Sequence, residues 1–237
     1  MSAERSELVR LLWGPHPTPT RGPKPALSLD RIARAGIEIA DADGLAGLSM
    51  QRVAGLLGYT KMSLYRYVPG KAELVALMVE TAIGDPPPKA GAAGDGWRER
   101  LTAWTRAMAV LFQRHPWLLD AMVGPRVLGP RELAWTEQAI AALDDTGLAG
   151  AERLDAVVLL SGHVRSIAQQ ARAAEPARGA EAQFVAILGD LLREHGDRYP
   201  ALTGALAHQA GQDRALDFGL HRILDGLDVL ITRRRSG

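Results

Sequence analysis

Apolar residues along the chain recur three and four positions apart, the spacing of helices that bury one stripe. Ser28 is placed to cap a first helix in which Ile32, Ala35, Gly36, Ile39 and Ala40 share a face, and Asp43-Gly44 predicts its end. Ser49 caps a second, with Met50, Val53, Ala54 and Leu57 as its stripe and Gly58 closing the turn. Thr60 caps a short third, in which Leu64 and Val68 lie one turn apart facing inward and Pro69-Gly70 stops the run. Gly70 and Glu73 open a fourth that carries Leu74, Leu77 and Met78. The same period continues through Trp97 to Arg114, Glu132 to Asp144, Glu152 to Ala174, Glu181 to His195 and Asp213 to Arg233. No strand-type alternation persists, so the expected fold class is all-α.

Two stretches break the periodicity. Proline-rich Gly14 to Leu27, GPHPTPTRGPKPAL, should run extended, and Gly84 to Gly96, GDPPPKAGAAGDG, cannot be helical through its prolines. They divide the chain into an arm over 1–27, flexible and basic at its end, a four-helix segment over 28–82, and a larger helical part over 83–237. In the last helix Leu216, Leu220, Ile223, Leu224, Leu227, Leu230 and Ile231 form a broad stripe over four turns. Such a stripe suits a core helix, and equally a bundle built with a symmetry mate.

Composition narrows the function classes. With 47% apolar residues among 237, a packed core is expected, and with a net charge of +1 any charged partner must be met by a local patch. There are no cysteines, which excludes disulfides, thiolate zinc sites and a cysteine nucleophile. The six histidines show no metal-ligand spacing, so no metal or other cofactor is expected. No apolar run reaches the roughly 18 to 20 residues of a membrane span, and the first residues do not read as a secretory signal. A cytoplasmic protein without a membrane partner is the resulting expectation. No nucleotide-binding or nucleophile-elbow pattern appears, which argues against an enzyme.

One segment concentrates candidate chemistry. GYTKMSLYRYVPGK, Gly58 to Lys71, gathers cations and tyrosines, and residues 52 to 72 hold Arg52, Lys61, Arg66 and Lys71 with no acid. The helices at Ser49 and Thr60, joined through Gly58-Tyr59, have the lengths and turn of a helix-turn-helix, whose second helix enters a DNA major groove. Lys61, Met62, Ser63, Tyr65, Arg66 and Tyr67 lie off the Leu64/Val68 face, where lysine and arginine can donate to guanine or phosphate and tyrosine to phosphate. An ordinary solvated helix face has the same composition. Lys71 stands at a helix start, where the helix dipole disfavours a cation unless an anion, such as a DNA phosphate, offsets it.

LSMQRVAGLLGYTKMSLYRYVPGKAELVALM closely resembles the DNA-binding region of the tetracycline-repressor-like (TetR) family. The match runs through Ala54, Leu57, Gly58, Thr60, Leu64, Tyr65, Tyr67, Val68, Lys71 and Leu74 and spans about residues 28 to 80. The resemblance implies an N-terminal three-helix helix-turn-helix domain with a connecting helix over 28–82, and a helical effector-binding and dimerisation domain over 83–237. It implies DNA contacts at Gln51, Arg52, Thr60, Lys61, Met62, Ser63, Tyr65, Arg66 and Tyr67, with Lys71 on a phosphate. Arg21 and Lys24 of the arm could enter a minor groove or remain solvated.

HPWLLDAMVGPRVLGPRELAWTEQAIAALDDTGL and LDFGLHRILDGLDVLI resemble the family's C-terminal part more loosely, through their apolar pattern. The implied function is a ligand-responsive regulator: a homodimer on a palindromic double-stranded operator, released by a small-molecule effector. A helical protein-interaction module that no longer binds DNA is the alternative. Candidate effector contacts are Trp104, Met108, Phe112, Trp117, Met122, Trp135, His163 and Gln169, for which core packing or an interface is the competing reading.

Overall fold

The computed structural model describes residues 3–14, 27–88, 96–174, 178–207 and 215–235, with the side chains of 3, 4, 173, 174, 178–186, 206 and 207 left aside. The proposed minor-groove residues Arg21 and Lys24 lie outside the described residues, as does part of each linker stretch. The described residues form helices and turns with no strand: α1 (Ala3–Trp13), α2 (Leu29–Gly47), α3 (Met50–Leu57), α4 (Lys61–Tyr65), α5 (Lys71–Ile83), α6 (Trp97–Arg114), α7 (Leu118–Ala121), α8 (Pro130–Ala141), α9 (Gly150–Ala174), α10 (Arg178–His195), α11 (Pro200–Ala207) and α12 (Ala215–Arg235). None of them is long and apolar enough to cross a membrane.

The helix starts follow from local chemistry. The Ser28, Ser49 and Thr60 side chains accept from the backbone N–H groups of Arg31, Arg52 and Ser63, satisfying donors that the first turns of α2, α3 and α4 leave free. Gly58, at φ 74°, closes α3 in the left-handed region. The Asp43-Gly44 stop is only half made: Gly44 takes φ 67° and kinks the chain, yet helical turns continue to Gly47.

Two differences lie at the N-terminus and between α6 and α8. The first 27 residues contain α1, a helix that the pattern reading left out. Leu12 is buried, α1 packs on α5, and the Trp13 indole donates to the Leu128 carbonyl at 2.9 Å. α7 is a single turn that turns the chain from α6 towards α8 and buries Leu118 and Leu119.

A continuous core runs from Ile32 and Leu64 at one end, through Met78, to Leu160 and Leu224 at the other. α5 crosses α2 so closely that a Cβ on Gly36 would stand 2.6 Å from the Met78 sulfur. α6, α9 and α12 pack together in the C-terminal half. Arg98 and Arg106 of α6 pair with Asp225 and Asp217 of α12 at 2.9 and 3.0 Å. Across α9 and α12, Arg234 holds Glu152 at 2.6 Å and keeps that carboxyl below the ordinary glutamate range.

A polar knot joins the two halves. Asp41 Oδ1 on α2 accepts from the Trp117 indole at 2.7 Å and lies 2.8 Å from His115 Nδ1, both on the α6–α7 connection. Trp117 is 2% exposed and its indole N–H meets no other acceptor among the described residues. Asp41→Ala should therefore lower stability by about 2 kcal/mol, the cost of leaving a buried donor unpaired, read from urea unfolding.

Candidate nucleic-acid interface and internal cavity

α4 has five residues, too short to persist alone. Leu64 and Val68, both fully buried, fix it in the core beside α3. With that face inward, Met62 stands 71% exposed, and Tyr65 and Tyr67 about half that. The Lys61 ammonium lies 5.4 Å from the Tyr65 ring centroid, and the Thr60 and Ser63 hydroxyls are 3.0 Å apart. Gln51 and Arg66 are exposed. Arg66 has no ion pair among the described residues.

Arg52 and Lys71 are occupied otherwise. Beyond the kink at Gly44, the last carbonyls of α2 take side-chain donors, Leu45 O in addition to the Leu48 N–H at 3.3 Å. The Arg52 guanidinium donates to Gly47 O at 2.8 Å and to Asp43 Oδ2 at 2.5 Å. Lys71 Nζ donates to Leu45 O at 3.0 Å. Both cations thus brace the end of α2, and Lys71 reaches backward from its helix start, where Glu73 supplies a negative charge in the same turn. An ammonium has three donors, so an anion can still be met. Lys61, Tyr65, Arg66 and Tyr67 are all exposed, as are Arg52 and Lys71.

In the C-terminal half a cavity of about 480 Å³ opens between α6, α8 and α9. Five of the eight candidate effector residues line it: Trp104, Met108, Phe112, Met122 and Trp135. Trp104 and Trp135 stand with centroids 6.2 Å apart, tilted by 58°, and the Trp104 indole donates to Trp135 O at 2.9 Å. Polar groups are few. Arg126 and Glu132 form a two-pronged ion pair, with Nη1 2.6 Å from Oε2. The Arg165 guanidinium lies 5.8 Å from the Phe112 centroid and donates to Leu119 O at 3.1 Å. Ser161 and Thr136 add hydroxyls to the wall.

The other three candidates fall elsewhere. Trp117 is committed to Asp41, as described above. His163 points the other way from Ser161, two residues or about 200° round the helix, and meets Leu216 O on α12 at 3.0 Å. It packs so tightly there that a Cβ on Gly219 would stand 2.2 Å from its ring. Gln169 is exposed, a turn beyond Arg165. The pattern reading missed Arg126, Glu132, Ser161 and Arg165. The spacing Val157, Ser161, Arg165 on α9 carries that signal, because residues four apart share a face.

Glu80 adjoins this region from α5. It is 8% exposed; its Oε1 accepts from Arg131 N at 2.7 Å, and its Oε2 meets no hydrogen-bond donor. Burial pushes the carboxyl above the ordinary glutamate range, while the Arg131 and Glu132 backbone amides at the start of α8 oppose that shift.

Helices throughout the described residues, with a helix-turn-helix at one end and a small-molecule-sized cavity in the C-terminal half, are the features of a ligand-responsive, DNA-binding transcriptional regulator. Residues 88–231 match the family "Tetracyclin repressor-like, C-terminal domain". The HTH-type transcriptional repressor DrrR1 of Streptomyces coeruleorubidus is 39% identical over 244 residues, covering 99% of this chain and 90% of the relative. An HTH-type transcriptional regulator of Saccharopolyspora erythraea is 30% identical over 205 residues, 86% of either chain. Among solved structures, the Streptomyces coelicolor TetR family protein ActR in complex with actinorhodin superposes with a TM-score of 0.70 at 25% identity, covering 86% of this chain and 96% of that one. The chain belongs to the TetR family of transcriptional regulators.

The raised Glu80 pKa has a measurable sign. The folded chain binds this proton more tightly than the unfolded one, so its contribution to stability is complete at low pH and is lost as pH rises through the folded value. Wild type should gain stability relative to Glu80→Gln as pH falls from 7.5 towards the ordinary glutamate value near about 4.3. Paired urea titrations at each pH measure the difference.

Proposed function

We propose that a homodimer of this chain binds a palindromic operator through α4 and the start of α5, and that a planar aromatic molecule filling the cavity releases it. The observation that carries the DNA reading is the exposure of Met62, Tyr65, Arg66 and Tyr67 on α4 and the turn that follows it, a segment held by buried Leu64 and Val68. Dimerisation is supported by side chains that the monomer leaves uncovered. Leu154, Val158 and Leu159 on α9, and Phe218 and Val229 on the neighbouring α12, are each half or more exposed. Two copies pairing through those faces would set their α4 helices about one duplex turn apart, roughly 34 to 36 Å or somewhat more.

The ligand class follows from the walls of the cavity. Two indoles and a phenyl ring offer stacking faces, the Arg126 and Arg165 guanidinium groups offer donors for phenol, quinone or carboxylate oxygens, and the Ser161 hydroxyl, which donates to Val157 O, offers an acceptor. ActR, at a similar fold, holds actinorhodin. A ligand binding the DNA-incompetent state about 100-fold more tightly would contribute roughly 2.7 kcal/mol to release.

Three results test the proposal. Selection from random duplexes with the full chain should return palindromes, and added actinorhodin should weaken the resulting gel shift; recovery of no specific duplex overturns the DNA reading. On the selected operator, Arg66→Ala should cost about 1 to 3 kcal/mol and relax preference at particular base pairs. Lys71→Ala should instead weaken binding to every duplex and reduce the salt slope by about one. Identical behaviour of the two variants across sequences would refute the division between base reading and phosphate contact.

A further inference from the structure

α8 begins without a cap of its own. Its N-cap residue is Gly129, which has no side chain, and Pro130 at the first helical position has no N–H. The first free donor, Arg131 N, is satisfied across the interface by Glu80 Oε1 of α5 at 2.7 Å. Gly129 is what lets the carboxylate approach, since a Cβ there would lie 2.0 Å from Oε2. Arg131 closes the joint from the other side, its guanidinium meeting Glu80 O at 3.4 Å and Asp85 Oδ1 at 3.2 Å. One turn on, the Trp135 indole donates to Gly84 O at the end of α5 at 3.2 Å.

Both ends of this joint lead somewhere. α5 is locked to α2 through Met78 against Gly36, and its first residue, Lys71, holds Leu45 O. α5 therefore moves with the helix-turn-helix. On the other side, Glu132, Trp135 and Thr136 of α8 line the cavity, and Glu132 follows Arg131 directly. A local serine or aspartate would cap α8 whatever α5 did. A cap delivered from another helix holds only while α5 and α8 keep this relative position.

We infer that Glu80 is the positioning residue that couples the cavity to the DNA-reading helices, by capping α8 only in one placement of α5. The inference rests on the regulator reading above. Ligand contact with Trp135 or Glu132 displaces the first turn of α8, uncaps it, and frees α5 to carry α4 away from its register on DNA. Coupling between sites is reciprocal, so operator binding must in turn tighten the Glu80–Arg131 bond.

That reciprocity gives a test without an effector. Backbone hydrogen exchange is followed at Arg131, Glu132 and Leu133 in the full chain, free and bound to the operator selected from random duplexes. Operator should slow exchange there about fivefold or more in wild type. Glu80→Ala should exchange faster in the free state and lose the operator dependence. Glu80→Gln, which keeps an acceptor in place of Oε1, should retain it, and this arm stands if the alanine variant does not fold. Failure to recover any operator removes the regulator reading and the coupling with it. A bound operator that leaves α8 exchange unchanged in wild type, or changes it equally in Glu80→Ala, overturns the coupling and leaves the regulator reading in place. Loss of operator dependence in Glu80→Gln also overturns it.

Discussion

The burial of Leu64 and Val68 is the constraint on which the exposed surface of α4 depends. A single turn and a half of helix loses more in nucleation than it gains in hydrogen bonds, so α4 exists because its apolar edge has a place in a core made by other helices. Both side chains are wholly removed from water, each worth about 1.5 to 3 kcal/mol relative to exposure. Their placement also settles what points outward. The residues between them cannot face inward without turning Leu64 out, and Met62, Tyr65, Arg66 and Tyr67 are left on the surface as a geometric consequence. Exposure of a methionine and two tyrosines on one short element is costly for a monomer in water, and a partner of matching shape would recover that cost.

Two of the cations near α4 brace the end of α2. Past the kink at Gly44 the helix ends within a turn, where Leu45 O takes the Leu48 N–H at 3.3 Å together with the Lys71 ammonium, and Gly47 O takes the Arg52 guanidinium. Arg52 and Lys71 reach them from α3 and α5, and in doing so tie the three elements around α4 into one body. Arg66 has no such duty. Positive charge held by such a brace is less free to reorganise, which lowers the ordering cost of any further contact it makes. A lysine so held keeps N–H donors that rotate freely.

Local chemistry was legible in the sequence and long-range pairing was not. The caps at Ser28, Ser49 and Thr60 and the left-handed turn at Gly58 each depend on residues within four positions, and the pattern places them correctly. The bounds of α6 agree to the residue. α1 is anchored by contacts more than a hundred residues away, such as Trp13 to Leu128, which no local pattern reveals. The cavity shows the same limit. Size and aromaticity picked out Trp104 and Trp135 but equally Trp117, and only the proximity of Asp41, 76 positions upstream, separates a structural indole from a cavity wall. Likewise His163 looked available until Leu216 and Gly219 of α12 were brought against it.

Why a carboxylate should be buried at the α5–α8 joint at all is a question of opposing terms. Desolvation raises its pKa and leaves Oε2 unpaired, a cost that an apolar residue would avoid. Against it stand the Arg131 amide bond and the partial positive charge of the α8 N-terminus, and these persist only at hydrogen-bond distance. The balance is therefore steep in the separation of the two helices. An apolar contact between α5 and α8 would weaken gradually as they slid, whereas this one is either made or broken. Steepness of that kind is what a two-state element needs, and it follows from a glycine at position 129 and a glutamate at position 80.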